Sequence, residues 1–320
     1  MPDTRDVAVL VEDIHKSFGD VHALRGVSFT AERGTVLGML GPNGAGKTTA
    51  VKVLSTLLRP DRGRATIAGH DVVRAAAQVR RSIMMTGQYA ALDDNLSGRE
   101  NIELFSRLMG MDKRSARRRA DELLEEFDLT DTGKRAVRQY SGGMRRRIDL
   151  ACGLVVRPQV VFLDEPTTGL DPRSRQSVWS LVSALKDQGI TVLLTTQYLE
   201  EADVLSDNII VIDHGEVIAE GTADELKAKT GGSYCEVVPL DPQQLGAAAT
   251  ALGDLVPPAV LGELNGADRL SLPAPAGAAT LAEALRRLDL AGIELADIAL
   301  RRPSLDDVFL SLTGHIGGHA

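Results

Sequence analysis

The sequence predicts an α/β fold followed by a smaller α+β unit. Three observations carry that expectation. The apolar run Thr35–Leu40 leads through a glycine-rich turn into a helical stretch. A second apolar run, Val160–Leu163, ends on two adjacent carboxylates. A glycine pair, Gly231-Gly232, precedes a tail richer in Ala, Pro and Leu. At 320 residues the chain has room for more than one core, because single cores stop growing near about 250–300 residues.

Taken in order, Val7–Val11 and Val27–Phe29 read as strands around a turn at Phe18-Gly19-Asp20. Thr35–Leu40 reads as a fully buried strand. Lys47–Leu58 reads as a helix, closed by Arg59-Pro60-Asp61. From about Asp94 to Arg157 apolar residues recur at helical spacing. Ile102, Phe105, Leu108 and Met109 form one set, and Ala116, Ala120, Leu123 and Phe127 a second. Ile148, Ala151, Cys152 and Val155 form the third, so this stretch is a helical insertion. Val160–Leu163 and Thr191–Thr195 then read as parallel core strands on either side of a helix from Ser174 to Gln188. Ile209–Asp213 and Glu216–Ala219 suggest a closing hairpin around His214-Gly215. The first domain spans residues 1–230 and the second 231–320. The tail reads strand, helix, weak strand, strand, helix, strand and terminal helix, which suggests a ferredoxin-like α+β domain.

Composition narrows the function classes. With 43% hydrophobic, 25% charged and 3% aromatic residues the chain is an ordinary globular one. A net charge of -8 argues against a nucleic-acid surface as the main function. Cys152 and Cys235 lie in no C-x-x-C pair, which fits two buried thiols in a reducing compartment. Met1–Val11 mixes charges into a short apolar run and reads as no signal peptide. No stretch approaches the roughly 18 uncharged apolar residues that span a bilayer. The expected location is therefore the cytosol, with any membrane role that of a peripheral subunit.

The chemistry concentrates in two places. Gly41-Pro42-Asn43-Gly44-Ala45-Gly46-Lys47-Thr48 matches G-x-x-x-x-G-K-[ST] at every fixed position, with Thr49 next on the helix. Glycines let the backbone wrap so that its N–H groups point at phosphate oxygens, and the helix adds its positive dipole end. Lys47 would reach the β- and γ-phosphates of ATP, and the Thr48 hydroxyl would hold Mg²⁺. Against this stands a chance glycine loop, a roughly one-in-a-hundred event at average residue usage. In the second place, Asp164 and Glu165 stand at a strand tip, where open α/β sheets place ligands. Asp164 would orient Mg²⁺ and Glu165 would take a proton from the attacking water. A plain carboxylate pair capping a helix before Pro166 is the alternative.

A third feature is Tyr140-Ser141-Gly142-Gly143-Met144 at a helix start. Ser141 is a simple N-cap there, or, with two bare glycines beside it, part of a second anion site. One ATP needs one phosphate cradle, so a second makes sense if each chain completes its neighbour's site.

The order phosphate loop, Gln88, Ser-Gly-Gly, Asp-Glu resembles the ATP-binding-cassette (ABC) family over about Val7–Thr222. That resemblance implies a RecA-like core with an antiparallel β subdomain and a helical subdomain at about 94–157. It implies that Gln88, in Thr86-Gly-Gln-Tyr89, touches Mg²⁺ and senses a membrane subunit. It also implies that Pro166–Pro172, with Asp171, is a dimer-contact loop. Phe18 falls where the family stacks an aromatic ring on adenine; as a position in sequence it serves equally as a turn-flanking core residue. Two departures stand out. Met144 replaces a usual Gln, and Gln197, in Thr195-Thr196-Gln197-Tyr198, stands where the family carries its switch histidine. Gln197 can donate to a γ-phosphate or hold a water but cannot carry the charge available to His.

More narrowly, the chain resembles the drug-exporter branch that includes the daunorubicin/doxorubicin-resistance ATP-binding subunits. The features are Tyr140-Ser-Gly-Gly-Met144-Arg-Arg-Arg147, Leu194-Thr-Thr-Gln197-Tyr198-Leu-Glu-Glu-Ala202 and the tail motif Ser304–His315. The resemblance implies two ATPase subunits, paired head to tail, docked on a separate membrane permease pair that expels an amphipathic drug. Other cargo (lipid, peptide or ion), a soluble non-transport ABC ATPase, a small-molecule kinase and a binding-only regulator are the competing readings. Arg117–Arg119 and Arg145–Arg147 read as solvated helix faces rather than a nucleic-acid surface. The six histidines lack metal-ligand spacing, and Trp179 reads as a packing residue. The tail helix around Leu305–Leu312 either docks on its own domain or pairs subunits.

Overall fold

The computed structural model describes residues 6–87, 92–229, 232–257, 268–301 and 303–314. The chain divides into two compact units, one ending at Ala223 and one beginning at Asp224; the sequence reading set its boundary at 230/231.

The first unit is built on two sheets. Strands β1 (Val7–Phe18) and β2 (Val21–Glu32) form a long antiparallel hairpin, and β4 (Arg62–Ile67) and β5 (His70–Asp71) extend it in the order β2-β1-β4-β5. The second sheet has six strands: β3 (Val36–Leu40), β6 (Ile83–Thr86), β7 (Val160–Asp164), β8 (Thr191–Thr196), β9 (Asn208–Asp213) and β10 (Glu216–Gly221). Their order is β10-β9-β3-β8-β7-β6, parallel except for the β9–β10 hairpin. Strands β3, β7 and β8 are buried along their whole length, as continuous apolar runs in parallel sheets must be. Val160–Leu163 and Thr191–Thr195 are parallel neighbours, as the sequence predicts.

Helix α1 (Lys47–Leu54) is shorter than expected. It stops ahead of Thr56, whose φ of 66° lies outside helical space, so the predicted run to Leu58 does not form. Helix α2 (Ala76–Ser82) and strand β6 carry no clear periodic signal and went unread in the sequence.

The insertion is helical as predicted: α3 (Gly98–Leu108), α4 (Lys113–Glu126) and α5 (Gly142–Gly153). Ser97 and Glu100 close a capping box on α3, Asp112 caps α4 and Ser141 caps α5. Ile102, Leu123, Phe127 and Ile148 bury into one core that continues under β7 and β8. Helix α6 (Pro172–Asp187), opened by Asp171 and Pro172, and α7 (Leu199–Leu205) complete the unit.

Helix α8 (Ala223–Lys229) begins at the division. In the second unit β11 (Tyr234–Pro239) is flanked by β12 (Leu270–Pro273) and β13 (Leu295–Arg301), both antiparallel to it. Helices α9 (Leu245–Leu252) and α10 (Ala278–Leu290) follow β11 and β12, and both pack into one core with Cys235, Val237 and Leu272. The strand order β12-β11-β13 is that of three strands of a ferredoxin-like sheet; the predicted weak strand lies outside the described residues. The tail forms helix α11 (Leu305–Gly314), with Ser304 and Asp307 exchanging hydrogen bonds at its start.

Candidate functional site

The parallel sheet delivers its chemistry at the C-terminal ends of β3, β7 and β8, because parallel strands end together. Leu40 pairs with Thr196, and Asp164 with Thr195. The turn after β3 therefore lies beside the carboxylates after β7 and the Thr195–Gln197 segment after β8. The Gly41 amide donates to the Thr196 carbonyl at 3.3 Å, which seats the phosphate loop against β8. Gly46 has φ 107°, and a Cβ there would lie 2.5 Å from the Ala23 carbonyl oxygen, so only glycine lets the loop close against β2.

Lys47 is buried, 4% exposed. Its Nζ donates to the carbonyls of Gly41 at 2.8 Å and Pro42 at 3.0 Å, and Glu165 Oε1 lies 3.4 Å away. Asp164, 2% exposed, accepts from Thr195 Oγ1 at 2.7 Å and Thr48 Oγ1 at 3.2 Å. The Thr48 hydroxyl and the Asp164 carboxylate thus share one spot at the foot of α1. Glu165 adopts φ 48°, a region sparsely populated by residues other than glycine. Its amide is pinned there by the Thr195 carbonyl and hydroxyl, at 3.2 and 3.0 Å. Thr168 Oγ1 donates to Glu165 Oε2 at 3.3 Å.

These groups border a cavity of about 460 Å³. Pro42, Asn43, Gly44, Gly46, Lys47, Thr48, Thr49 and Glu165 line it. His22, Arg25 and His214 line it as well, and the sequence reading did not find them. They come from β2 and from the β9–β10 turn, and no local pattern joins segments so far apart in the chain. Phe18 ends β1, pairs with Val21 of the cavity wall, and is 48% exposed with Lys16 Nζ 5.6 Å from its ring. An exposed aromatic there is no core residue.

The other sequence-predicted residues fall into separate places. Gln197 follows Thr196 directly and is half-buried. Ser141 and Gly142 are exposed at the start of α5, and the Ser141 hydroxyl accepts from the Met144 amide at 3.3 Å. Gly143 packs on α6, where a Cβ would meet Ser174 Oγ at 2.4 Å. Asp171 accepts from the Ser174 amide and hydroxyl, which hold its carboxyl below the usual range. Gln88 lies outside the described residues. Of the arginine clusters, Arg117 and Arg118 are solvated as expected. Arg146 is not. It is nearly buried and donates to Gly87 O and Thr86 Oγ1, both at 3.0 Å, because α5 packs against the end of β6.

Glycine loop, buried lysine and strand-tip carboxylates thus meet at one place, the C-terminal edge of the parallel sheet. The family model described as ABC transporter matches residues 24–168. The doxorubicin resistance ATP-binding protein of Mycobacterium tuberculosis is 62% identical over 311 residues, covering 96% of this chain and 94% of that protein. This chain belongs to the ABC transporter family. A daunorubicin resistance ATP-binding protein of Streptomyces coeruleorubidus is 58% identical, covering 97% of this chain and 96% of that protein. Among solved structures, a dimeric post-hydrolysis ATP-binding cassette bound to ADP and Pi superposes with a TM-score of 0.61 at 26% identity. It covers 67% of this chain and 98% of that one. The family and branch that the sequence resembles are thus those it matches. As an ABC ATPase the chain binds and hydrolyses ATP.

Proposed function

We propose that this chain is the ATP-hydrolysing subunit of an ABC exporter that drives efflux of an amphipathic drug through a separate membrane permease. The observation that carries the reading is the placement of Lys47, Thr48 and Glu165 on one cavity, with the buried Asp164 hydrogen-bonded to Thr48 behind it. The near-complete match to drug-resistance ATP-binding proteins supports the cargo class.

In this reading the amides of Gly41–Thr49 and the Lys47 ammonium bind the triphosphate. The Lys47 ammonium exchanges its two carbonyl acceptors for phosphate oxygens. Phe18 stacks on the adenine. The residues fit Mg²⁺: Thr48 and Asp164 would hold it, with Gln88, and the ion would supply charge neutralisation at the phosphates. Glu165, fixed by Thr195, accepts the proton of the attacking water. Gln197 orients that water or donates to the γ-phosphate.

Ser141 and Gly142 stand exposed at the start of α5, with Gly143 next to them, suited to covering the γ-phosphate of a second copy paired head to tail. Asp171 and its loop would line that contact. Closure of the pair moves the helical insertion and passes through Gln88 to the permease. Among the described residues no helix is long and apolar enough to cross a membrane. A peripheral position on the cytoplasmic face, held by the permease, follows from the reading. The second unit, residues 231–320 in the sequence reading, is assigned an accessory role.

The test is drug accumulation in cells that carry this chain with its permease. Parent protein should lower intracellular anthracycline, and Lys47→Ala should not. Equal drug levels with both, in cells where purified parent hydrolyses Mg-ATP, would remove the drug and keep the ATPase.

A further inference from the structure

Glu201 is a fully buried carboxylate that the mechanism above does not use, at 0% exposure on α7. Trp179 Nε1 of α6 donates to its Oε1 at 3.1 Å. The hydroxyls of Thr196 and Thr167 approach the same carboxyl. Thr196 is the residue before Gln197, and its Oγ1 accepts the Tyr198 amide at 2.9 Å, which shapes the Gln197 turn. Thr167 belongs to the loop between Glu165 and Asp171, and it too is buried. Two polar atoms in this cluster remain without a hydrogen bond: Glu201 Oε2 and Thr167 Oγ1.

A buried acceptor and a buried donor that face one another unpaired each carry a desolvation cost with no hydrogen bond to offset it. A small shift of the 166–171 loop toward α7 would recover that cost. We propose that Glu201 is a positioning residue, setting the 166–171 loop against the Gln197 segment through a Glu201–Thr167 hydrogen bond that closes when the ATP-bound pair forms. The inference rests on the ATPase reading. Burial pushes the Glu201 carboxyl above the usual carboxylate range, while hydrogen bonding by Thr196 and Trp179 opposes the rise. The carboxyl therefore serves as a hydrogen-bonding group held in a dry place, not as a surface charge.

Trp179 is the chain's only tryptophan, so its emission reports on the cluster directly. The experiment compares parent, Glu201→Gln, Glu201→Leu and Thr167→Val by steady-state hydrolysis and by Trp179 emission with and without Mg-ATP. Glu201→Gln keeps an acceptor for Trp179 and a partner for Thr167, so it should retain kcat within a few-fold. Glu201→Leu and Thr167→Val should each lose at least tenfold in kcat with KM for Mg-ATP changed less than twofold. The double variant should be no worse than either. Mg-ATP should shift Trp179 emission in the parent and in Glu201→Gln but not in Thr167→Val, whose indole hydrogen bond is intact. Parent-like kcat in Thr167→Val, or a parent-like emission response there, overturns the proposal. A purely structural Glu201 would leave Thr167→Val unaffected. If the parent hydrolyses no ATP, the ATPase reading fails, and the emission comparison still decides the role of Glu201.

Discussion

Replacing Glu165 by Gln separates binding from chemistry, and its size can be worked from the site. Glu165 Oε1 lies 3.4 Å from Lys47 Nζ, with both side chains buried. At an effective dielectric of about 20 that attraction is worth about 5 kcal/mol. Desolvating two ions takes back several kcal/mol each, so the pair contributes little net stability. Lys47 keeps its two carbonyl acceptors after the substitution, so no buried ammonium is stranded. Folding stability should therefore change by less than about 1 kcal/mol. Binding should hold or tighten, because a carboxylate that repels the γ-phosphate is gone. Only the proton acceptor is lost, and general-base catalysis contributes about 10²–10⁴-fold, or roughly 3–5 kcal/mol of barrier. The assay is phosphate release beside size-exclusion chromatography with Mg-ATP. Glu165→Gln should hydrolyse at least a hundredfold more slowly and run as a stable dimer. Hydrolysis within tenfold of the parent would refute the base assignment, and a variant that stays monomeric with ATP would refute the sandwich.

Other outcomes follow from the same geometry. Gln197→Ala should slow hydrolysis measured by phosphate release without weakening nucleotide binding; an unchanged rate removes Gln197 from the mechanism. Gly143→Ala would drive a methyl group into Ser174, whose hydroxyl donates to the capping Asp171 carboxylate at 2.7 Å. Overpacking of this kind costs about 1–3 kcal/mol, so the urea midpoint should fall. Ser141→Ala removes the α5 cap, a loss of about 1 kcal/mol. It should also lower ATP-dependent dimerisation while monomer binding by calorimetry persists. Burial pushes the Cys152 thiol far up, so iodoacetamide at pH 8 should leave it unmodified in the folded protein and alkylate it in urea.

The sequence by itself determined the phosphate loop, the carboxylates at the strand tip and the Ser-Gly-Gly helix start. Each is a short contiguous motif whose chemistry depends on local backbone shape. It also determined the parallel strands and the helical insertion, since burial on both faces and a 3.6-residue repeat leave readable patterns. Short elements escaped it: β6 spans four residues, Ile-Met-Met-Thr, whose residue types do not alternate apolar with polar. Helix α1 was read too long because the chain turns at Thr56, with φ 66°, where no glycine or proline marks the end. Only the tertiary structure brought His22 and Arg25 of β2 and His214 to one cavity. Only it turned Arg146 inward and placed Glu201 between Trp179 and the two threonines. Such meetings depend on which strands lie side by side and which helix faces are covered. Those are properties of chain topology, and residues remote in sequence carry no local signature of them.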